Sequence, residues 1–188
     1  MKQIFNFWLK PGQTIDSMEK EETGKAEVQI NTILFFISLY GILQIPKIIL
    51  YSVTKNDSLT EYLYRIVAVL FLFLFIKYVS VSCLWVFSKL FQGVANRKQI
   101  RLVQTYSLSP LLVLLPFASI QFIRVQLFPD SPIEGTFSVF FQLVFSIFTF
   151  SYLVLGLCKV NKFSYGYGIL TIFMAGSVFE LLKLIMHR

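Results

Sequence analysis

Residues 66–76 read IVAVLFLFLFI, an uninterrupted apolar run that ends at a single charge, Lys77, and resumes after it as far as Ser88. Ten of these eleven residues are Leu, Ile, Phe or Val. On membrane-insertion scales they favour insertion by roughly 3–6 kcal/mol, whereas a lysine at the centre of a span opposes it by about 2.5–3.5 kcal/mol. The segment is therefore predicted to cross a membrane as a helix despite Lys77.

The composition of the whole chain supports the same class of protein. Of the 188 residues, 56% are hydrophobic, 14% are charged and 21 are phenylalanine. Soluble domains carry about 45–50% apolar and about 25% charged residues, so a soluble domain is excluded, and so is a disordered chain. With one histidine and two cysteines, neither a disulfide framework nor a metal site, a cofactor or histidine-based catalysis is expected.

Four further segments have the length that a bilayer core of about 30 Å requires. The sequence predicts an all-α, polytopic membrane helix bundle with five transmembrane helices, at about 28–53, 64–88, 102–125, 136–158 and 164–186. Residues 28–188 would form the membrane domain, and residues 1–27 a cytosolic or interfacial segment. A transmembrane barrel is disfavoured because its strands would alternate apolar and polar residues, which these runs do not.

The first twelve residues, MKQIFNFWLKPG, combine apolar side chains with two lysines. The apolar part is too short for a signal peptide and no small-residue cleavage site follows it. The pattern favours a helix that lies in the lipid headgroup region.

The distribution of basic residues predicts the orientation. Ten lysines and arginines flank the spans on the side of the N-terminus, against six on the opposite side. The N-terminus is therefore predicted to be cytoplasmic and the C-terminus outside, in a cytoplasmic (inner) membrane. The same distribution explains the net charge of +7 without a nucleic-acid partner.

Lys77 is the most unusual residue of the predicted spans. An intramembrane cation can face the bundle interior and pair with an acid, and Glu180 in the fifth span is the candidate partner. Alternatively, Lys77 extends toward a headgroup or binds a lipid phosphate. Glu180 has an alternative partner as well, because Lys183 follows it at i+3.

The third span contains two prolines, Pro110 and Pro116, each of which frees the carbonyl four residues before it. Freed carbonyls in a membrane must find other donors, and Ser107, Ser109 and Thr105 are suitable. Together with Tyr106, the two serines form a candidate polar site at a broken helix, as in transporters. The alternative is a kink required for packing, and the sequence shows no second break of the kind that transporter repeats contain.

Arg97, Lys98 and Arg101 form a basic cluster before the third span. It is both an orientation signal and a candidate site for anionic lipid headgroups. Sequence signatures of metalloproteases, serine hydrolases and phosphate-binding loops are absent. The chain is therefore not expected to be an enzyme.

The order of these features resembles the Yip (Ypt-interacting protein) domain family, in particular its short bacterial members. The resemblance rests on Trp8-Leu9-Lys10-Pro11, on the Phe91-Gln92-Gly93 stretch, and on Tyr106-Ser107-Leu108-Ser109-Pro110, which matches a Gly-Tyr-x-x-x-Pro motif with Thr105 in place of glycine. The Asp-Leu-Tyr-Gly-Pro motif of eukaryotic members is absent, so their interaction with Rab-type GTPases is not carried over. The resemblance implies a non-enzymatic membrane protein, linked in some cases with ABC-type exporters.

The expected function is that of an accessory or scaffold subunit that binds other membrane proteins or lipids. Its partners would be the lipid bilayer and either another membrane protein or further copies of itself. The alternative is a transporter or channel subunit with a polar site at the second and third spans, supported by Lys77 and Pro110.

Overall fold

The computed structural model describes residues 2–10, 13–14, 23–43, 58–120 and 135–186, and every element within these ranges is a helix. The helices are α1 (Lys2–Leu9), α2 (Thr23–Leu43), α3 (Ser58–Leu74), α4 (Val81–Leu90), α5 (Arg97–Leu108), α6 (Gly135–Asn161) and α7 (Tyr165–Met186). Two irregular segments interrupt them. A π segment, Phe75–Ser80, joins α3 to α4, and a 3₁₀ segment, Ser109–Leu114, follows α5. The predicted all-α class is confirmed.

Three helical stretches are long and apolar enough to cross a membrane: Leu63–Leu90, Arg97–Ile120 and Phe140–Asn161. They correspond to the predicted second, third and fourth spans. At the predicted first and fifth spans the described apolar helices are shorter, Glu27–Leu43 and Tyr165–Leu181. Five spans are therefore not confirmed. Residues 44–53 and 121–125, which were predicted to complete the first and third spans, lie outside the described residues.

Helix α5 begins at Arg97, five residues before the predicted start of the third span, and Asn96 caps it. The side chain of Asn96 accepts a hydrogen bond from the backbone N–H of Gln99 at 2.9 Å, and the side chain of Gln99 accepts one from the N–H of Asn96 at 2.8 Å. This reciprocal capping box satisfies two N–H groups that the helix itself leaves without partners. The loop between α4 and α5 is also bonded to the end of α6, because Asn161 Oδ1 accepts the N–H of Ala95 at 3.2 Å.

Helix α5 and the 3₁₀ segment lie at the centre of the bundle, where they pack against α2, α4 and α6. Helix α7 packs against α4 and α6. In the apolar stretch of the third span, half of the residues are buried inside the protein. The corresponding shares are 17% for the second span and 22% for the fourth. The helix with the most polar sequence, RKQIRLVQTYSL, is thus the central one.

The outer helices present apolar side chains instead. On α3, Ile66, Val67 and Phe71 are between 58% and 69% exposed, whereas all residues of α5 from Leu102 to Ser107 are buried. A polar interior surrounded by an apolar exterior is typical of a helix bundle whose surroundings are apolar.

The contact between α5 and α6 depends on a small residue. A Cβ atom built on Gly156 would lie 2.5 Å from Cγ1 of Val103. Only a residue without a side chain allows this approach, as is common where helices pack closely in membranes.

We expect Gly156→Ala to lower the free energy of unfolding by about 1–3 kcal/mol, because the added methyl group overpacks the α5–α6 contact. Gly176→Ala is the matched control, since a Cβ there has nothing within 4 Å. It should leave stability unchanged or raise it by up to about 1 kcal/mol through helix propensity. Thermal unfolding in detergent, followed by circular dichroism, measures both. Val103→Ala should rescue Gly156→Ala, and equal destabilisation by the two glycine substitutions would contradict the close contact.

Candidate functional site

The break in the third span is built from the residues that the sequence singled out. Pro110 cannot donate a hydrogen bond to the carbonyl of Tyr106. The hydroxyl of Ser109 donates to that carbonyl instead, at 2.6 Å. After Pro116, the carbonyl of Leu112 accepts the N–H of Leu115 within the 3₁₀ geometry. The predicted role of serine at the break is confirmed for Ser109, while the hydroxyl of Ser107 donates to Val103 one turn earlier at 2.7 Å.

Helix α1 closes over this break. The indole Nε1 of Trp8 donates to Ser109 Oγ at 2.8 Å, and the hydroxyl of Tyr152 on α6 donates to the carbonyl of Trp8 at 2.9 Å. Phe7 is fully buried, with its ring centre 5.5 Å from that of Tyr106 and 5.7 Å from that of Tyr152. The N-terminal helix predicted at the headgroup level is therefore also a packing element of the bundle.

Most polar side chains around the break bond to another element. The hydroxyl of Tyr106 donates to Gln29 Oε1 on α2 at 3.2 Å, and Gln142 on α6 donates to the hydroxyl of Tyr40 on α2 at 3.4 Å. Because these hydrogen bonds join different helices, they fix the position of the break relative to α2 and α6. Thr105 differs, since its buried hydroxyl has no partner among the described residues.

Lys77 lies in the π segment, four positions before Val81, the first residue of α4. Its ammonium nitrogen is 5.6 Å from the ring centre of Phe73 and 5.3 Å from that of Tyr78. Both distances are typical of cation–π contacts. The second span therefore contains a helix irregularity of its own, where the sequence showed no second break. π segments are rare and occur frequently at functional sites.

The basic residues of α5 lie beside the same rings. The guanidinium carbon of Arg101 is 5.6 Å from the ring centre of Tyr78, and that of Arg97 is 4.5 Å from the ring of Trp85. Arg101 Nη1 also lies 3.9 Å from Glu27 Oε1 on α2. Lys77, Arg97 and Arg101 are hereafter called the cationic cluster. Lys98, which was predicted to act with these arginines, is exposed.

A polar bond ties the cationic cluster to the central helix. Gln104 Nε2 donates to Ser80 Oγ at 2.8 Å, which joins α5 to the last residue of the π segment. Gln104 is only 5% exposed, and its Oε1 atom has no hydrogen-bond partner among the described residues. Nε of Arg101 is likewise buried without a partner there. Arg101 of the cationic cluster thus retains an N–H group without an acceptor among the described residues.

Phe179, which precedes Glu180 in the chain, contacts the π segment. The ring centres of Phe179 and Phe75 are 5.1 Å apart. Arg101 forms an ion pair with Glu27, and Lys77 contacts aromatic rings. The proposed Lys77–Glu180 pair is not among these contacts and stays a prediction. The side chain of Lys183, the alternative partner of Glu180, lies outside the described residues.

Two further polar residues have roles that the sequence did not reveal. Arg65 was counted only as a flanking charge, yet it is 8% exposed and donates through Nη1 to the carbonyl of Ile42 at 3.3 Å. Asn161 holds the loop before α5, as described above. Their positions at the ends of apolar runs were the available signal, since polar residues there can bond to exposed helix-end carbonyls and loops.

No family model, curated protein or solved structure matches this chain. The resemblance to the Yip domain family therefore stays a prediction. Across the described residues, no group of three or more His, Cys, Asp or Glu side chains could hold a metal ion.

We expect Ser109→Ala to lower the free energy of unfolding by about 1–3 kcal/mol, because Trp8 loses its acceptor and the Tyr106 carbonyl keeps only the backbone N–H of residue 109 as a donor. Trp8→Phe removes the same bond and keeps a ring. A double-mutant cycle should give a coupling energy of about 1 kcal/mol. Ser119→Ala is the control, since that hydroxyl bonds only within its own helix. Strict additivity of Ser109→Ala and Trp8→Phe would mean that α1 does not dock through this bond.

Proposed function

We propose that the chain is an integral membrane protein of five transmembrane helices that acts without catalysis, as an accessory or scaffold subunit binding other membrane proteins or lipids. The observation that carries the proposal is the division between interior and exterior. Polar side chains at the centre bond from helix to helix, and the outer surface is apolar with a basic cluster at one end.

The interior supports a role in assembly. The bonds of Trp8 with Ser109, Gln104 with Ser80 and Tyr106 with Gln29 each join two elements. In an apolar environment such bonds cross-link helices, contributing about 0.6 kcal/mol on average. Because these groups are engaged with one another, the function is assigned to the outer surface.

The outer surface offers two kinds of contact. Helices α3 and α7 expose large apolar residues, such as Phe71 at 69% and Phe173 at 65%, which suit either lipid tails or the helices of another membrane protein. The basic residues before and within α5 suit anionic headgroups. The distribution of basic residues along the chain supports a cytoplasmic (inner) membrane with the N-terminus inside. The resemblance to the bacterial Yip branch makes an ABC-type exporter a candidate partner.

A site-specific photo-crosslinker tests for a protein partner. Placed at Phe71 or Phe173, it should give one discrete product in native membranes, either with a second copy of the chain or with a partner that co-purifies stoichiometrically in mild detergent. Phe7 is the matched control because it is fully buried, and the same group there should give no intermolecular product. Recovery of the uncrosslinked monomer alone from both exposed positions would count against a protein-binding scaffold.

A transporter or channel subunit is the second candidate function. The observation that favours it is the pair of irregular segments, the π segment in the second span and the 3₁₀ segment in the third. They are joined through α5. Gln104, which lies five residues before Ser109, donates a hydrogen bond to Ser80 at the end of the π segment. Irregular helices of this kind form the substrate sites of many transporters.

Cysteine labelling distinguishes the two functions. In a background with Cys83 and Cys158 replaced by alanine, Lys77→Cys should react with a membrane-impermeant maleimide only if a hydrated path reaches it. Leu74→Cys, which is exposed on the same helix, reports on lipid contact. For an accessory protein we expect neither position to react. Labelling of Lys77→Cys with Leu74→Cys unreactive would favour the transporter.

A further inference from the structure

We propose that the cationic cluster, Lys77, Arg97 and Arg101, binds the phosphate group of one anionic phospholipid, whose acyl chains lie along the exposed face of α3. This inference rests on the proposed membrane location, and it goes beyond the surface attraction that the sequence predicts for Arg97, Lys98 and Arg101. Among the described residues, Lys98 has no ring contact of the kind that defines the cluster, whereas Lys77, twenty positions before Arg97 in the chain, has two.

The cluster places three positive charges over two aromatic rings that lie seven residues apart in the second span. Lys77 and Arg101 both lie over Tyr78, at 5.3 and 5.6 Å, and Arg97 lies over Trp85 at 4.5 Å. Glu27 is the acidic group that the structure places there, 3.9 Å from Arg101 and with its side chain 59% exposed. The local charge therefore remains positive, which favours an anionic ligand.

The guanidinium group of Arg101 is incompletely satisfied by the protein. Its side chain is only 23% exposed, and its Nε atom is buried without a partner within the described part of the chain. A cation withdrawn from water is costly unless an anion compensates it, and arginine binds phosphate through several N–H groups at once.

The surface beside the cluster fits a lipid better than a free phosphate ion. Tyr78, Leu74, Phe71 and Val67 are spaced four, three and four residues apart, so they follow one face of the helix. Each is between 50% and 69% exposed. An apolar strip of about 16 Å therefore leads away from the cations, and the acyl chains of a phospholipid can pack along it.

The depth of the cluster agrees with a headgroup phosphate drawn toward the protein. Trp85 with Arg97 is the kind of pair found at the headgroup level, where tryptophan is enriched. Arg101 lies one turn further along α5, about 6 Å deeper. Lys77 lies deeper still, and its flexible side chain can extend toward the same level.

Titration with soluble lipid tests the site. The protein is reconstituted in phosphatidylcholine nanodiscs and titrated calorimetrically with dioctanoyl-phosphatidylglycerol. Arg101→Gln and Lys77→Gln should each raise Kd about tenfold or more, a loss of about 1.4 kcal/mol. Lys98→Gln is the matched control, because it removes one positive charge from the same helix turn as Arg97 and should change Kd less than threefold.

Three results would overturn the site. Equal weakening by Lys98→Gln and Arg101→Gln would show attraction by diffuse surface charge alone, which leaves the proposed scaffold function intact. Binding of inorganic phosphate as tight as that of the lipid would show a site for a soluble anion. If the parent protein binds neither the lipid nor inorganic phosphate, both the lipid site and a site for a soluble anion are excluded. Unchanged unfolding temperatures in phosphatidylcholine nanodiscs verify that each variant is folded, and two variants on different helices guard against failure of one to fold.

The proposed function fails in a different way. If the purified chain is monodisperse in buffer without any amphiphile, it is not an integral membrane protein, whatever the lipid titration shows.

Discussion

The central constraint on this protein is that a backbone carbonyl exposed by proline in an apolar bundle must find another donor. Pro110 frees the carbonyl of Tyr106, Ser109 donates to that carbonyl, and Ser109 in turn accepts the indole N–H of Trp8. The position of α1 follows from this chain of bonds, and Tyr152 completes it by donating to the carbonyl of Trp8. The freed carbonyl is thus satisfied locally by Ser109, and the same serine hydroxyl accepts a hydrogen bond from a segment about a hundred residues away in the sequence.

The cations follow a different rule. A lysine in a span is expected to pair with an acid, and the sequence offered Glu180 for Lys77. The structure places the Lys77 ammonium over two aromatic rings, one of which it shares with Arg101. Aromatic rings are plentiful in this chain, which contains 21 phenylalanines and 9 tyrosines. They stabilise a cation by their quadrupole without neutralising it, so the positive charge stays available to an external anion.

Local features of the sequence predicted the structure well. The apolar run before Lys77 predicted a long helix because each residue in it favours insertion by itself, and Pro110 predicted the irregular segment because its effect is confined to one turn. Three features were not predictable: the docking of Phe7 and Trp8, the π segment, and the hydrogen bond from Ala95 to Asn161. Each depends on side chains brought together from distant parts of the chain. The same reason hid the site: Lys77 and Arg101 belong to different helices, and only packing brings them to Tyr78. Lys98, adjacent to Arg97 in the chain, is outside the cluster because neighbouring residues on a helix point about 100° apart.

The coupling between the two irregular segments bears on which function is possible. Gln104 bonds to Ser80 and precedes the 3₁₀ segment by about one turn, so a shift of the π segment must either break that bond or move α5. Helix α5 also contacts α2 and α6, while Trp8 and Tyr152 fix the break from the other side. A transport cycle that moves the two irregular segments would need these bonds to break or exchange in concert. An anion bound at the cationic cluster requires no such rearrangement, because neither Lys77 nor Arg101 takes part in these bonds. The packing therefore favours binding at the edge of a rigid bundle over movement through its centre.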